Sequence, residues 1–407
     1  MKILQVNCVY NTGSTGKITA DLHRALMQNG IESIVCYGRG KKVKEPFVYK
    51  TCGELYSKFN HLISQITGVM YGGCFFSTNK LIQIIKKEKP DVVHLQCING
   101  YFVNIYRIIN WLKNKKIKTV LTLHAEFMHT ANCGHAFECE KYKYGCIKCE
   151  RFKKETKSYF FNNTALSFKK MKKAFDGFDN NLIITTVSPW LQKRAEGSLI
   201  LKNKPHITVM NGLETGTFYP HGGDEISQAL IIEDKSFVLF VTPAFSLDKD
   251  HIKGGYYLVE LAKMMPDVLF GVIGAKNFPE NLPENIINIG RVDNRDELAK
   301  YYSAANVTVL LSKKETFSMI LAESLCCGTP VVGFKAGGPE SIAIDKYCDF
   351  AEYGDIKNIE KKLREKLLVG KDIESSTLAH KKYDKKMMTE NTINVYFKLI
   401  RGVHVIS

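Results

Sequence analysis

The chain contains no long hydrophobic run. No stretch of about 18 or more apolar residues occurs in the sequence, which argues against a membrane-spanning helix. The opening segment from Lys2 to Tyr10 is strand-like and lacks the parts of a signal peptide. The chain has twelve cysteines but is too long to need disulfides for stability. We therefore expect a cytoplasmic protein whose thiols are buried or bound to metal.

Several common motifs are also missing. The glycines after the first strand fit neither the G-x-G-x-x-G dinucleotide fingerprint nor a P-loop. No standard zinc-finger or RNA-binding motif is present, and basic residues are spread along the chain. The net charge of +16 still indicates a partner that carries phosphate, such as nucleic acid, anionic lipid or a nucleotide-sugar.

Short apolar runs alternate with longer helical patterns almost throughout the chain. Such near-continuous apolar strands, separated by helices, indicate parallel sheets that are covered on both faces. Two series of them predict two doubly wound α/β domains, 1–212 and 213–384, followed by a closing helix over 385–407. The strand candidates are 2–10, 32–37, 91–96, 118–124 and 182–188, and then 236–242, 267–273, 286–289, 307–311 and 330–334.

The most informative stretch lies between Glu315 and Ile342 and reads ETFSMILAESLCCGTPVVGFKAGGPESI. It follows the strand candidate 307–311, and its apolar spacing predicts a helix over 318–326. Gly328 stands just past that helix, where a left-handed cap is usual. The loop before the helix therefore lies at the carboxyl end of a strand, which is where doubly wound sheets bind ligands.

This loop and helix offer the chemistry of a phosphate and ribose site. The amides of Phe317 and Ser318 stand at the helix start, where backbone N–H groups lack helical partners and can hold an anion. Glu315 precedes them directly. Glu323, further along the helix, can accept both hydroxyls of a ribose, as acidic residues do in dinucleotide folds. Either glutamate alone would more often be a solvated surface charge, but the whole pattern predicts a nucleotide site.

The spacing of Glu315 and Glu323, followed by CCGTPVVGFKAGGPESI, closely resembles the signature of glycosyltransferase family 4, the glycosyl transferases group 1. The resemblance covers nearly the whole chain and is most specific in the second domain. It implies the GT-B fold, in which two Rossmann-like domains face a central cleft. It also implies retaining transfer of a hexose or N-acetylhexosamine from a nucleotide-diphospho-sugar to a saccharide or lipid-linked acceptor, in the synthesis of a cell-surface polysaccharide such as capsule or lipopolysaccharide.

The resemblance also implies roles for single residues of the second domain. The second glutamate of the family binds the donor ribose, which assigns Glu323 to that task, and the first lies near the donor sugar and phosphates, which assigns Glu315. The amides of Phe317 and Ser318 would hold sugar hydroxyls or phosphate. Lys253 resembles the family's phosphate-holding lysine, and its ammonium would neutralise the leaving diphosphate as negative charge grows there.

The chain departs from the family pattern just after the strand 236–242. The family often has an arginine there, whereas this chain has TPA at 242–244. Lys253 is therefore expected to act alone or with the help of Lys249. The D-x-D sequence at 248–250 is a metal motif of a different transferase fold, so we predict no catalytic metal. The residues leave open whether the reaction follows a front-face or a double-displacement route.

In the first domain the candidate groups follow the strands. The loop 11–17 contains Gly13 and Gly16, which let a backbone approach a ligand closely, although a plain tight turn fits as well. The resemblance implies that this loop faces the donor across the cleft. His124 and His94 stand at strand ends, and family position favours His124 as a contact of the donor sugar or phosphate.

A cysteine-rich insertion at 129–150 follows the His124 strand. Four thiolates in one short loop are the ligand set of a tetrahedral structural zinc, with His129 and His135 as spare ligands. Four reduced thiols without metal, or disulfides in an oxidising sample, are the alternatives. A closed four-ligand site would be structural rather than catalytic, because no open coordination position would remain. The predicted ligands are Cys133, Cys139, Cys146 and Cys149.

A basic segment at 151–175 interleaves lysines with aromatic and aliphatic residues, and it predicts one or two amphipathic helices. Such a segment can lie on an anionic membrane surface, although a solvated lysine-rich helix is the simpler interpretation. Peripheral contact with the inner face of the cell membrane would suit a lipid-linked acceptor. The lysines concerned are Lys153, Lys154, Lys157, Lys169, Lys170, Lys172 and Lys173.

Three rival functions remain at this stage. A sugar phosphorylase or a nucleotide-sugar epimerase would share the architecture, because fold alone does not decide function. A zinc-stabilised nucleic-acid-binding protein is the rival from another class, supported by the charge and the cysteines. Because no nucleic-acid motif accompanies them, we predict no nucleic-acid partner.

Overall fold

The computed structural model describes residues 1–222, 224–229, 235–275 and 278–402. The chain forms two compact units, of which the first comprises Met1–Met210 together with the C-terminal stretch from Thr389. The second unit comprises Asn211–Met388. Both are α/β, which confirms the predicted fold class. The last part of the predicted closing helix, 403–407, lies outside the described residues.

The first unit is built on a seven-stranded sheet in which every strand pairing is parallel. Its strands are β1 (Lys2–Asn7), β2 (Glu32–Tyr37), β3 (Val48–Lys50), β4 (Val92–Leu95), β5 (Thr119–Leu123), β6 (Leu182–Thr186) and β7 (His206–Thr208). The strands lie in the order β3-β2-β1-β4-β5-β6-β7. The order reverses between β1 and β4, and ligands of such sheets bind at the carboxyl edge of that point.

Helices follow most of these strands, and their apolar residues form the core with the sheet. The strand residues Ile3, Leu4 and Val6 are completely buried. A short 3-10 turn, Lys141–Lys143, lies within the cysteine-rich insertion. The helices are α1 (Gly13–Gln28), α2 (Glu54–Thr67), α3 (Phe75–Glu88), α4 (Ile105–Asn114), α5 (Phe127–Thr130), α6 (Phe152–Thr156), α7 (Thr164–Phe175) and α8 (Pro189–Glu196).

The second unit has a six-stranded sheet, again with parallel pairings only. Its elements are α9 (Asp224–Ala229), β8 (Ser236–Val241), α10 (Gly255–Met264), β9 (Val268–Ile273), β10 (Ile286–Gly290), α11 (Arg295–Ala304), β11 (Val307–Leu310), α12 (Met319–Cys326), β12 (Val331–Phe334), α13 (Gly338–Ile342), β13 (Cys348–Ala351), α14 (Ile356–Val369) and α15 (Ile373–Tyr383). The strand order is β10-β9-β8-β11-β12-β13. The order reverses between β8 and β11, and sheets of this kind bind their ligands at the carboxyl edge of such a point.

The C-terminal helix α16 (Lys385–Arg401) begins in the second unit and continues in the first. Within the first unit, Tyr396 is fully buried and its hydroxyl lies 2.7 Å from His94 Nδ1. Lys118 Nζ donates to the carbonyl of Ile400 at 2.7 Å. Among the described residues, no helix combines the length and the apolar character that crossing a membrane requires.

Candidate functional site

The strongest candidate site lies where β8 and β11 end side by side. Lys253, in the loop after β8, places its Nζ 2.6 Å from Oε1 of Glu315, which follows β11. The two residues are 62 positions apart in the chain and meet because their strands are neighbours. The side chains remain 25% and 20% exposed, respectively. An arriving anion can therefore reach this ammonium and compete with the carboxylate for it.

The backbone around Lys253 is held against the end of β11. Gly254 has a φ of 75°, and a Cβ at this position would collide with the carbonyl of Leu311. The amide of Lys313 donates to the carbonyl of Ile252 at 2.8 Å. Only glycine fits this close approach, so the lysine-glycine pair has a steric reason that the motif alone did not reveal.

The glycine-rich turn after β12 holds the backbone of Glu315 in place. The amide of Gly338 donates to the Glu315 carbonyl at 2.9 Å, and a Cβ on Gly338 would collide with the backbone of Thr316. The Glu340 carboxylate accepts from the amide of Gly337 at 2.8 and 2.9 Å. The sequence GGPE therefore acts on the site indirectly, by holding the loop that carries Glu315.

The start of α12 is unusual. Ser318 is its N-cap, accepts from the Leu321 amide at 3.3 Å and adopts a φ of 95°, which is strained for a residue with a side chain. Phe317 is only 3% exposed and packs edge-on against Tyr383. Both side chains therefore serve the packing of this turn, and the backbone amides are the groups that these two residues offer to an anion.

Glu323 lies on α12 and is half-buried. Its Oε2 accepts a hydrogen bond of 3.0 Å from the hydroxyl of Tyr302, a fully buried residue of α11. Burial, and then the charge of Glu323, raise the pKa of Tyr302 well above its usual value, so the hydroxyl stays protonated and donates. Sequence reasoning missed Tyr302, because nothing in the sequence distinguishes it from Tyr301 beside it.

Two further lysines, Lys249 and Lys313, lie in the same two loops as Lys253 and Glu315. Lys313 follows the same strand as Glu315, lies 3.0 Å from Asp250 Oδ1 and stands 5.3 Å from the ring centre of Tyr353. Lys249 lies 5.9 Å from the ring centre of Tyr256. Sequence analysis considered Lys249 as a helper but missed Lys313, whose closeness to this loop depends on the pairing of the two strands.

The first unit places its two candidate histidines in different settings. His124 directly follows β5, and burial lowers its pKa to about 4, so the imidazole is neutral near pH 7. His94 is buried within β4, and burial followed by the neighbouring His124 lowers its pKa to about 3. The Nε2 of His94 lies 2.6 Å from Thr122 Oγ1, and its other nitrogen contacts Tyr396. This pairing gives His94 a structural role as an anchor of α16.

The glycine loop after β1 also has a structural component. A Cβ at Gly16 would lie 3.0 Å from the side chain of Val9, so glycine lets α1 begin close to the strand end. Gly13 has a φ of 63° and open space on its Cβ side. Gly13 therefore lies where a ligand could approach, while Gly16 is explained by local packing.

The cysteine-rich insertion is compact, and three of its four cysteines are buried. Burial, and then the neighbouring Cys149 and Cys139, raise the pKa of Cys146 to about 11. However, no group of three or more His, Cys, Asp or Glu side chains is placed to hold a metal ion within the described ranges. The predicted zinc ligands therefore lie in one loop without forming a closed ligand set.

A buried ion pair joins α8 to Glu126, which lies just before this insertion and accepts a hydrogen bond from it. Glu126 is completely buried, and its Oε1 lies 2.5 Å from Arg194 Nε. Its Oε2 accepts from the amide of Ala136 at 2.8 Å. The Arg194 guanidinium also stands 5.0 Å from the ring centre of Tyr142 and 5.1 Å from that of Trp190. Nothing in the sequence predicted this network, although Glu126 lies only two residues after His124.

Two family descriptions match the chain. Glycosyl transferases group 1 matches residues 225–375, which include the Lys253–Glu315 pair and α12. Glycosyl transferase 4-like matches residues 51–152 of the first unit. Together they cover more than half of the chain and both units.

Similar sequences and solved structures are consistent with these two family matches. The colanic acid biosynthesis glycosyl transferase WcaC of Escherichia coli is 27% identical over 159 residues, a match that covers 37% of this chain and 39% of WcaC. The structure of sucrose-phosphate synthase from Thermosynechococcus elongatus superposes with a TM-score of 0.68 at 15% identity and covers 98% of this chain and 99% of that one. HepE of Anabaena in complex with UDP gives a TM-score of 0.66 at 14% identity and covers 98% and 100%.

These matches confirm the resemblance that the glutamate signature indicated, and they extend it to the fold, which is GT-B. The first glutamate of this signature follows β11 and meets Lys253 from the neighbouring strand β8, at the edge where doubly wound sheets bind their ligands. The chain is therefore an enzyme that belongs to the group 1 glycosyltransferases.

Proposed function

We propose that this enzyme transfers a hexose or N-acetylhexosamine from a nucleotide-diphospho-sugar to a saccharide or lipid-linked acceptor, with retention of configuration, during synthesis of a cell-surface polysaccharide. The observation that carries the proposal is the meeting of Lys253 and Glu315 at the carboxyl ends of two neighbouring strands. One element further along, Glu323 is oriented by a buried tyrosine. The similarity to WcaC, a glycosyl transferase of colanic acid biosynthesis, supports a role in polysaccharide synthesis.

The donor would be held by groups with complementary chemistry. The Lys253 ammonium would bind the diphosphate and stabilise the charge that develops on it as the sugar leaves. The amides at the start of α12 would bind phosphate or sugar hydroxyls, since N–H groups at a helix start lack helical partners. Glu323 would accept both ribose hydroxyls, and Glu315, once the diphosphate draws Lys253 away, would be free to face the sugar.

His124 would act as a neutral hydrogen-bond donor or acceptor. Its pKa of about 4 means that the ring carries no charge at neutral pH. A neutral imidazole can contact a sugar hydroxyl without the electrostatic cost of a buried cation. Its place after β5 puts it at the carboxyl edge of the first sheet, where a ligand of that unit would bind.

Donor recognition is tested by thermal unfolding with a panel of UDP-, GDP- and ADP-sugars. A donor at about 100 times its Kd should stabilise the protein by about 2.7 kcal/mol. Glu323→Ala should weaken binding of that donor by about 10-fold or more, because hydrogen bonds to a charged group are lost. Tyr302→Phe should have a smaller effect in the same direction, because the carboxylate remains but is no longer oriented.

Tyr301→Phe is the matched control and should bind the donor like the wild type. If no nucleotide-sugar raises the unfolding temperature, or if Glu323→Ala binds the donor as tightly as the wild type, the proposed donor site is wrong.

Retention is tested in a separate experiment with the donor so identified. The product's anomeric configuration, measured by proton NMR, should match that of the donor, and an inverted product would exclude a retaining route.

We also propose that the cysteine-rich insertion holds a structural zinc ion. Cys133, Cys139, Cys146 and Cys149 lie in one loop, and three of them are buried. Zinc would require this loop to rearrange so that four thiolates take tetrahedral positions. The ion would pin the insertion beside the strand that carries His124 and would take no part in the transfer.

Metal analysis of the purified chain tests the zinc site. We expect about one zinc per chain, and we expect Cys146→Ser to lower the zinc content and the unfolding temperature, because a closed site needs all four ligands. Cys52→Ser, at a buried cysteine outside the insertion, should retain the metal. A zinc-free protein whose insertion thiols all react with a thiol reagent would contradict the site.

Peripheral contact of the basic segment 151–175 with an anionic membrane belongs to the same proposal, since a lipid-linked acceptor resides there. The segment forms α6 and α7, and its lysines are mostly exposed.

A further inference from the structure

We propose that the first unit docks on an anionic lipid bilayer through an apolar docking surface made of three parts: the outward face of α2, the pair Phe75–Phe76 and the run Tyr159–Phe161. This inference rests on the proposed lipid-linked acceptor and names the part of the chain that would enter the membrane interface. It differs from the sequence-based expectation, which assigned membrane contact to the basic segment alone.

Helix α2 exposes the face that an ordinary surface helix would bury. A helix on the surface of a protein in water normally turns its apolar stripe towards the core. In α2 the apolar stripe faces outward, with Leu55 83% and Phe59 59% exposed. Leu62, Ile63 and Ile66 continue the stripe at helical spacing and are 45%, 38% and 42% exposed. A continuous exposed stripe of this kind marks an interaction surface rather than scattered surface residues.

The inward face of α2 is polar and well satisfied. Ser57 Oγ donates to the carbonyl of Gly100 at 3.0 Å, and Asn60 Oδ1 accepts from the amide of Cys74 at 2.7 Å. Ser64 Oγ donates to the carbonyl of Val69 at 2.9 Å. Rolling α2 to hide its apolar stripe would break these buried hydrogen bonds and leave polar groups unpaired. The outward orientation is therefore built into the packing.

Two neighbouring segments extend the apolar stripe. Phe76 is 78% exposed, its ring lies 5.9 Å from that of Tyr56 on α2, and its amide donates to the Tyr56 hydroxyl. At the other end of α2, the amide of Tyr159 donates to the carbonyl of Gln65 at 2.8 Å. Tyr159, Phe160 and Phe161 are 54%, 68% and 57% exposed. The three parts thus form one surface rich in aromatic rings, which favour the interface of a bilayer.

The positive charge beside this docking surface favours an anionic bilayer as its binding partner. The segment 151–175, which carries the run Tyr159–Phe161, contains eight Lys or Arg residues and one acidic residue, Glu155. Glu155 is itself paired with Arg151. Lys157 is close enough to α2 to help lower the pKa of His61, after burial. Lysines beside an apolar face bind anionic headgroups while the apolar side chains enter the acyl boundary.

A second copy of the chain is the less suitable occupant. In a symmetric dimer the same surface would face itself, so the two basic segments would be brought together. Like charges across an interface oppose association, and the chain carries a net charge of +16.

Vesicle co-sedimentation tests the docking surface. The full chain is mixed with vesicles of phosphatidylcholine alone, or of phosphatidylcholine with phosphatidylglycerol. We expect binding to the anionic vesicles only, and weaker binding at high salt. The double variant Phe59→Gln, Phe160→Gln should lower the partition coefficient by about 10-fold or more, since each buried apolar side chain contributes strongly to partition.

The control is Leu368→Gln, an 88% exposed leucine at the end of α14 in the second unit, and it should bind like the wild type. Equal binding of the double variant, or equal binding to neutral vesicles, would overturn the proposal. So would a dimer, seen by light scattering without lipid, that the double variant dissociates.

The same variants separate this inference from the proposed function. The double variant should keep its thermal response to the donor and its transfer to a water-soluble acceptor, since both substituted residues belong to the first unit and the Lys253–Glu315 pair belongs to the second. Loss of the donor response in the wild type would count against the transferase proposal and leave the vesicle result to stand by itself.

Discussion

Replacing Lys253 with alanine should lower kcat by about 10² to 10³-fold, the range seen when one preorganised group that stabilises transition-state charge is removed. Lys253 is the cation that lies closest to Glu315, and it occupies the switch point of the second sheet. The effect should fall more on kcat than on the donor KM, because the leaving diphosphate gains charge in the transition state. Initial rates with the preferred donor over a range of concentrations would measure both.

Lys263→Ala removes an exposed lysine of α10 that pairs with Glu260, and it should leave the rates unchanged. Lys253→Arg should recover part of the lost rate, since the charge remains but its geometry differs. If Lys253→Ala raised only the KM, the lysine would bind ground state and transition state alike, and its proposed role on the leaving group would be wrong.

Replacing Arg194 with methionine should destabilise the first unit by about 3 to 5 kcal/mol, because it would leave the carboxylate of Glu126 buried without its cation. Glu126 is completely buried and has its Oε1 2.5 Å from Arg194 Nε. Burial by itself would raise the pKa of Glu126, but the nearby His129 ring and Arg194 lower it to about 2. Urea unfolding, followed by a probe in the first unit, would measure the loss.

The pH dependence follows from the sign of this shift. A carboxyl whose pKa is lower in the folded state than in the unfolded state stabilises the fold above its unfolded pKa, and the contribution is lost as pH falls towards the folded value. The wild type should therefore lose stability between about pH 5 and pH 2, and Arg194→Met should lose less over that range.

Arg24→Met provides the matched control. Arg24 pairs with Asp21 on the surface of α1, so its loss should cost less than about 1 kcal/mol. An Arg194→Met protein as stable as the control would show that the buried pair contributes little to the fold.

Most central strands follow directly from the apolar runs. The predicted strand 32–37 matches β2, and 286–289 is one residue shorter than β10. The strands that were not predicted, β3, β7 and β13, all lie at an edge of a sheet and have three or four residues. An edge strand has a neighbour on one side only, so a short apolar run suffices for it. Such a run does not stand out from a loop in the sequence.

The two glutamates of the proposed donor site could be selected from the sequence because their spacing is local. Glu315 and Glu323 lie on one loop and the helix that follows it, so the chain itself sets their separation. Tyr302 and Lys313 depend on packing between elements, and the sequence analysis identified neither. His94 illustrates the reverse case, since a histidine at a strand end proved to be paired on both ring nitrogens.

The amino-acid sequence by itself determined the α/β class and the position of the group 1 glycosyltransferase signature with its two glutamates, because apolar periodicity and short-range spacing are set by the order of residues along the chain. Only the tertiary structure decided that Lys253 meets Glu315, that Arg194 neutralises Glu126, and that α2 turns its apolar stripe outward. The stripe of α2 has the spacing of an ordinary amphipathic helix. Which side of that helix faces the core depends on hydrogen bonds to Gly100, Cys74 and Val69, which only the folded chain brings into place.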